Sequence, residues 1–151
     1  MTATCLWLSR HPPLQAQSRE LERLFSGHRF LWDPELFVDV HDIAERIAAA
    51  RKVYGEPVEV VMVAPLTLIQ KVIERGIRPL WAVMREVVSD HPAALEWFDR
   101  AGDLQPAIIV PESASYYRAH TDSCVLAPRG RVLEFVKFRR LVGIHMEFEE
   151  L

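Results

Sequence analysis

At 151 residues, 50% hydrophobic and 26% charged, the chain has the size and make-up of one globular domain with ample material for a core. A net charge of −3 argues against a broadly basic surface for duplex nucleic acid. No apolar run approaches the ~20 residues of a membrane span, and MTATCLWLSRHPP lacks the basic start and long apolar core of a signal peptide.

Thr4 to Leu8 (TCLWL) is a short apolar run and reads as a strand. Ser9-Arg10-His11-Pro12-Pro13 follows at once, and its prolines forbid continuation of the strand. A helix is expected from Leu14 to Phe25, with Leu14, Leu21, Leu24 and Phe25 inward and Gly27 as its stop. Phe30 to Trp32 is the second strand, ended by Asp33-Pro34. Glu35 to Val40 is ambiguous between loop and short strand. Asp42 and Glu45 have cap-like spacing, and the helix after them turns Ile43, Ile47 and Ala48 inward and ends near Gly55.

Val58 to Ala64 is almost unbroken apolar sequence, which marks a strand buried on both faces of a parallel sheet. Pro65 ends it. Thr67 and Gln70 have capping-box spacing for a helix with Leu68, Ile69, Val72 and Ile73 on one face, and Gly76 is a left-handed stop. Leu80 to Met84 starts the next strand. Asp90-His91-Pro92 looks like a helix start, with Ala93 to Arg100 as the helix and Gly102 as its end.

The last third differs. Ala107 to Val110 is briefly apolar, and the polar stretch from Glu112 to Ser123 reads as a loop or lid. Val125-Leu126 and Val132 to Phe138 flank Pro128-Arg129-Gly130 as a hairpin. Val142, Ile144, Met146 and Phe148 alternate with polar residues or glycine, as an edge strand does. The expected architecture is therefore α/β: βαβαβαβ on a mainly parallel central sheet flanked by helices, then antiparallel strands. A single domain over residues 1–151 is expected, with 106–151 as lid-like loop and strands.

In open α/β sheets, ligands bind outside the carboxyl ends of the strands, near the reversal of strand order. Those ends carry Ser9, Arg10 and His11, then Asp33, then Pro65, Leu66 and Thr67, then Arg85. Helix N-termini there favour phosphate. Neither G-x-G-x-x-G nor a P-loop is present, and a serine-hydrolase elbow is absent. The histidines are scattered and no Cys/His spacing fits zinc, so neither metal nor cofactor is expected. Cys5 and Cys124 are too few for a disulfide framework, which suits a reduced, cytoplasmic protein. Simpler readings stand beside the functional ones: Thr67 and Ser9 as helix caps, and the arginine-rich cation content as genome composition.

The opening LWLSRHP and the central VVMVAPLTLIQKVIERGIRPLWAVMRE resemble the small CRISPR-associated Rossmann-like proteins of type III systems. The resemblance covers Leu6 to Glu86 and leaves out the segment from Pro106 onward. It implies the Rossmann-like fold of the CARF domains, which sense cyclic oligoadenylate. It also implies ring-nuclease activity or simple binding of that ligand, with cyclic tetra-adenylate as the expected ring. On this reading Arg10 and the Thr67 helix end hold phosphate, with Pro65, Leu66, Asp33 and Arg85 around the ligand. His11 protonates the leaving oxygen, Ser9 assists, and a homodimer matches the ring's symmetry. A non-catalytic sequestering module and an unrelated nucleotide-binding domain remain the alternatives.

Overall fold

The computed structural model describes residues 2–88, 95–98, 104–108, 111–127, 131–144 and 149. The elements are β1 (Thr4–Leu8), α1 (Gln15–Leu24), β2 (Arg29–Asp33), α2 (Val40–Tyr54), β3 (Val58–Met62), α3 (Leu66–Glu74), β4 (Leu80–Val88), β5 (Leu95–Phe98), β6 (Leu104–Ile108), α4 (Pro111–Ala119), β7 (Cys124–Ala127) and β8 (Arg131–Arg140). A mixed six-stranded sheet has the order β2-β1-β3-β4-β8-β7, and β5 and β6 form a separate two-stranded ribbon. By contact density the chain divides into two units. One comprises Met1–Pro13, Arg19–Ala82 and Phe138–Leu151; the other comprises Leu14–Ser18 and Val83–Lys137.

In the first unit β1 pairs in parallel with both β2 and β3, and β3 pairs in parallel with β4. Period-2 alternation assigns the faces. Leu6 and Leu8 of β1 and Val60 and Met62 of β3 point to one side, where Ile43 and Ile47 of α2 and Ile69 and Val72 of α3 close the core. On the other side Cys5, Trp7 and Val61 are buried as well. Both β1 and the second half of β3 are thus covered on two faces, as their almost unbroken apolar sequence requires. Burial, with smaller help from Glu59 and Glu22, pushes the Cys5 thiol up to about 12, so it stays neutral and inert.

Local punctuation departs from expectation at three places. The α2 cap is Asp39, whose side chain accepts from the Asp42 amide at 2.9 Å. The spacing Asp39, Asp42, Glu45 repeats every three residues, and the first member wins because the Asp42 carboxylate is committed to the Val38 amide and to Arg46. Ala48 is exposed; Ala50 takes the inward place. The cap of helix α3 falls two residues early, at Pro65, because the Leu68 and Ile69 amides both reach the Pro65 carbonyl. Thr67 falls inside the first turn and caps nothing. In α1 only Leu21 of the four expected inward residues is fully buried, and Leu24 is exposed.

The α3 stop is as the sequence implies. Gly76 has φ 80°, and the Ile77 amide returns to the Val72 carbonyl at 3.3 Å, a Schellman ending. Nothing lies within 4 Å of a Cβ built on Gly76, so substitution meets only the backbone penalty. Gly76→Ala should lower stability by about 1 kcal/mol in denaturant unfolding.

In the second unit, Leu95–Phe98 is a strand, not the expected helix, and pairs antiparallel with Leu104–Ile108. Leu and Glu at its start carry helix propensity, but Trp97 and Phe98 favour strand, and pairing decides. Pro106 occurs where the register shifts, so its missing N–H falls in an irregularity of the ladder. The Asp90-His91-Pro92 start and the Gly102 stop lie outside the described residues. The expected lid over Glu112 to Ser123 is largely a helix, α4, opened by Pro111 and Glu112, both favourable in a first turn. The hairpin is confirmed: β7 pairs antiparallel with β8, Cys124 opposite Glu134 and Ala127 opposite Arg131. Leu141 to Ile144 form no strand, and Met146 and Phe148 lie outside the described residues.

Candidate functional site

Strand order reverses between β1 and β3: the chain passes from β1 outward to β2, then returns to the other side of β1 for β3. A crevice of about 310 Å³ opens at the carboxyl ends of these two strands, within the first unit. Its first wall is the turn after β1, Ser9, Arg10 and His11. Its second is Val63 and Pro65 after β3, and its third is Glu35, Leu36 and Phe37 after β2.

The first wall is held by its neighbours. The Trp7 indole donates to the His11 carbonyl at 2.8 Å, and the Trp32 indole donates to the Ser9 carbonyl at 2.8 Å. The Ser9 hydroxyl accepts from the His11 amide at 3.2 Å. A buried indole needs an acceptor, and here the need of Trp7 orders the turn. Ser9 therefore shapes the turn and does not cap α1; at the start of α1, Gln17 accepts from the Leu14 amide at 2.8 Å. Arg10 and His11 are exposed, and neither side chain has a partner among the described residues.

The third wall is built on Arg46. Its guanidinium donates to the Glu35 carbonyl at 2.8 Å and the Leu36 carbonyl at 2.9 Å, and it pairs with Asp42 at 2.9 Å and Asp33 at 3.3 Å. Its side chain is only 16% exposed. Hydrogen bonds from the Val38 amide and then from Arg46 hold the Asp42 carboxyl below the usual carboxylate range. Asp33 also accepts from the Glu35 amide at 3.1 Å.

On the second wall Val63 is 61% exposed, in contrast to the buried Val60 and Val61, because β3 ends at Met62. Pro65, Leu66 and Thr67 form the start of α3, where the Leu66 and Thr67 amides have no acceptor within the helix. That places a positive dipole end beside the crevice.

Of the expected site residues, the crevice brings together Ser9, Arg10, His11 and Pro65, with Leu66 and Thr67 adjoining in the α3 start. Asp33 is turned to Arg46 and lines a separate cavity of about 420 Å³ with Trp32, Val53 and Tyr54. The two charged groups there satisfy each other, so that cavity presents no free charge. Arg85 is not at a strand end. It lies inside β4, and its guanidinium is bonded to Glu134 at 2.6 Å, where the Tyr116 hydroxyl also donates at 2.8 Å. Arg85 first and Tyr116 second hold the Glu134 carboxyl below its usual range. Beside them Tyr116 and His120 stack at 4.2 Å.

Sequence reading missed Trp7, Trp32 and Arg46 as organisers and Glu35, Leu36 and Phe37 as a wall. Only Arg46 left a trace, four residues after Asp42, the spacing of a helical ion pair. Among the described residues no three His, Cys, Asp or Glu side chains cluster as metal ligands would, and no helix is long and apolar enough to cross a membrane. No family model, curated protein or solved structure matches the chain.

Proposed function

We propose that the crevice binds one nucleotide of a cyclic oligoadenylate and that the protein is a ring nuclease of the Rossmann-like, CARF-type class its sequence resembles. The observation that carries the reading is the turn Ser9-Arg10-His11. Two indoles and a hydroxyl hold it, and it shares a crevice with the start of α3 at the reversal of strand order. The parallel run β2-β1-β3-β4, with a helix between each pair of successive strands, supports the fold class.

The crevice is at the lower end of the ~300–1,000 Å³ of ligand pockets, which suits one nucleotide and not a whole ring. A two-fold homodimer presents two crevices to a symmetric ring such as cyclic tetra-adenylate. Arg10 and the free amides of α3 face phosphate. Cleavage follows from in-line attack of a ribose 2′-hydroxyl on the adjacent phosphorus. The new bond is 2′-O–P, and the broken bond is P–O5′. Solvent takes the 2′-hydroxyl proton, and the His11 imidazole, acting as general acid, gives one to the departing 5′-oxygen. The products are linear adenylates with a 2′,3′-cyclic phosphate at one end and a 5′-hydroxyl at the other. Such cleavage ends the signal that the ring carries.

Incubation with cyclic tetra-adenylate and chromatography of the products tests the reading. Linear products support it; a ring bound tightly but intact over hours makes the protein a sequestering module instead. Arg10→Ala should weaken binding of the ring by about 1–3 kcal/mol, the usual effect of losing a charge-assisted hydrogen bond. An unchanged titration curve would take Arg10 out of the site.

A further inference from the structure

The crevice carries two opposite charges on different walls, and neither side chain has a partner among the described residues. Arg10 belongs to the turn after β1 and Glu35 to the loop after β2. No hydrogen bond or ion pair engages either side chain among the described residues, and the two do not pair with each other. An open pair of this kind suits a ligand that is anionic at one end and offers a hydrogen-bond donor at the other. A phosphate answers Arg10. A carboxylate accepts only, so what answers Glu35 is a donor, an N–H or an O–H.

The backbone of Glu35 is anchored at both ends while its side chain is not. Its amide donates to Asp33, and its carbonyl accepts from Arg46. Next to it Leu36 and Phe37 line the same wall, and Val63, exposed, lines another wall of the crevice. Apolar side chains on two walls of the crevice suit the faces of a base, with the carboxylate left for its edge. We propose that Glu35 reads the base, accepting a hydrogen bond from the exocyclic 6-amino group of adenine, and is the specificity-determining residue of the crevice. This inference rests on the cyclic-oligoadenylate reading and adds to it the source of base selectivity.

Glu35 is exposed in the free protein. Once a bound base covers it, an analogue that lacks the donor leaves its carboxylate without water and without a partner, and is rejected. The probes are cyclic tetra-adenylate and the same ring built from unsubstituted purine, which lacks only the 6-amino groups. The parent protein should favour the adenine ring by tenfold or more, the scale of a hydrogen bond to a charged group. Glu35→Ala should bind the two rings within about twofold of each other and unfold at the parent's temperature, since the loop is held through backbone atoms. A variant that keeps the parent's preference overturns the role of Glu35. A parent that binds both rings equally overturns it too and leaves the binding reading standing. A parent that binds neither ring overturns both.

Discussion

His11→Ala is expected to lower the single-turnover cleavage of cyclic tetra-adenylate by ~10²–10⁴-fold while affinity changes far less, because a general acid acts in the transition state. The geometry argues for this split. The backbone of His11 is held at both its amide and its carbonyl, by Ser9 and Trp7, so the imidazole leaves from a defined point on the crevice wall. Replacing it by alanine leaves both backbone bonds in place. The turn and Arg10 therefore persist, and phosphate binding with them. Rate and affinity are measured on the same preparation, by rapid quench and by titration. Cleavage at the parent's rate would show that His11 is not the acid. Catalysis would then rest on positioning by the turn and the α3 amides. Equal losses in rate and affinity would make His11 a binding group only.

Arg46→Met is expected to cost about 2–3 kcal/mol of stability and to loosen the third wall of the crevice. Met keeps much of the apolar stem and removes every donor. The Glu35 and Leu36 carbonyls lose their partner, and Asp33 and Asp42 are left as neighbouring carboxylates without their cation. Denaturant unfolding reads the loss, and hydrogen exchange over residues 33–39 reads its location. The pH dependence adds a separate check. A carboxyl whose folded pKa is depressed stabilises the fold above its unfolded pKa, and that contribution is lost as pH falls through the folded pKa. Asp42 is such a group. The parent should therefore lose stability on acidification below the ordinary carboxylate range more steeply than Arg46→Met. A variant as stable as the parent, with the same acid limb, would mean that the loop is held by its own hydrogen bonds and not by the arginine.

How far the sequence alone reaches differs from element to element. Thr4 to Leu8 and the strand expected over Val58 to Ala64, which ends at Met62, were legible because almost unbroken apolar sequence has few other uses in a chain this size. Gly76 was legible because its φ of 80° is strained for other residues. The hairpin of β7 and β8 was marked by Pro128-Arg129-Gly130 between two apolar runs. The turn Ser9-Arg10-His11 could be placed at a strand end because Pro12 and Pro13 prohibit anything longer.

Other features needed contacts between residues distant in sequence. Leu95 to Phe98 became a strand through pairing with Leu104 to Ile108, since short mixed segments take the structure of their partner. Glu112 to Ser123 reads as a loop or lid in sequence because its polarity masks a helix start of the Pro-Glu type at Pro111. Arg85 was misplaced by the length of β4, which runs on to Val88. Local pattern thus determined the parallel strands, the helix that follows β3 and the turn that carries Arg10 and His11. Only the tertiary structure decided that this turn, the α3 start and the Glu35 loop share one crevice. Trp7, Trp32 and Arg46 hold two of those walls by hydrogen bonds to backbone carbonyls, one from each indole and two from the guanidinium. A donor's choice of carbonyl depends on distance in space, and hydrophobic periodicity does not encode it.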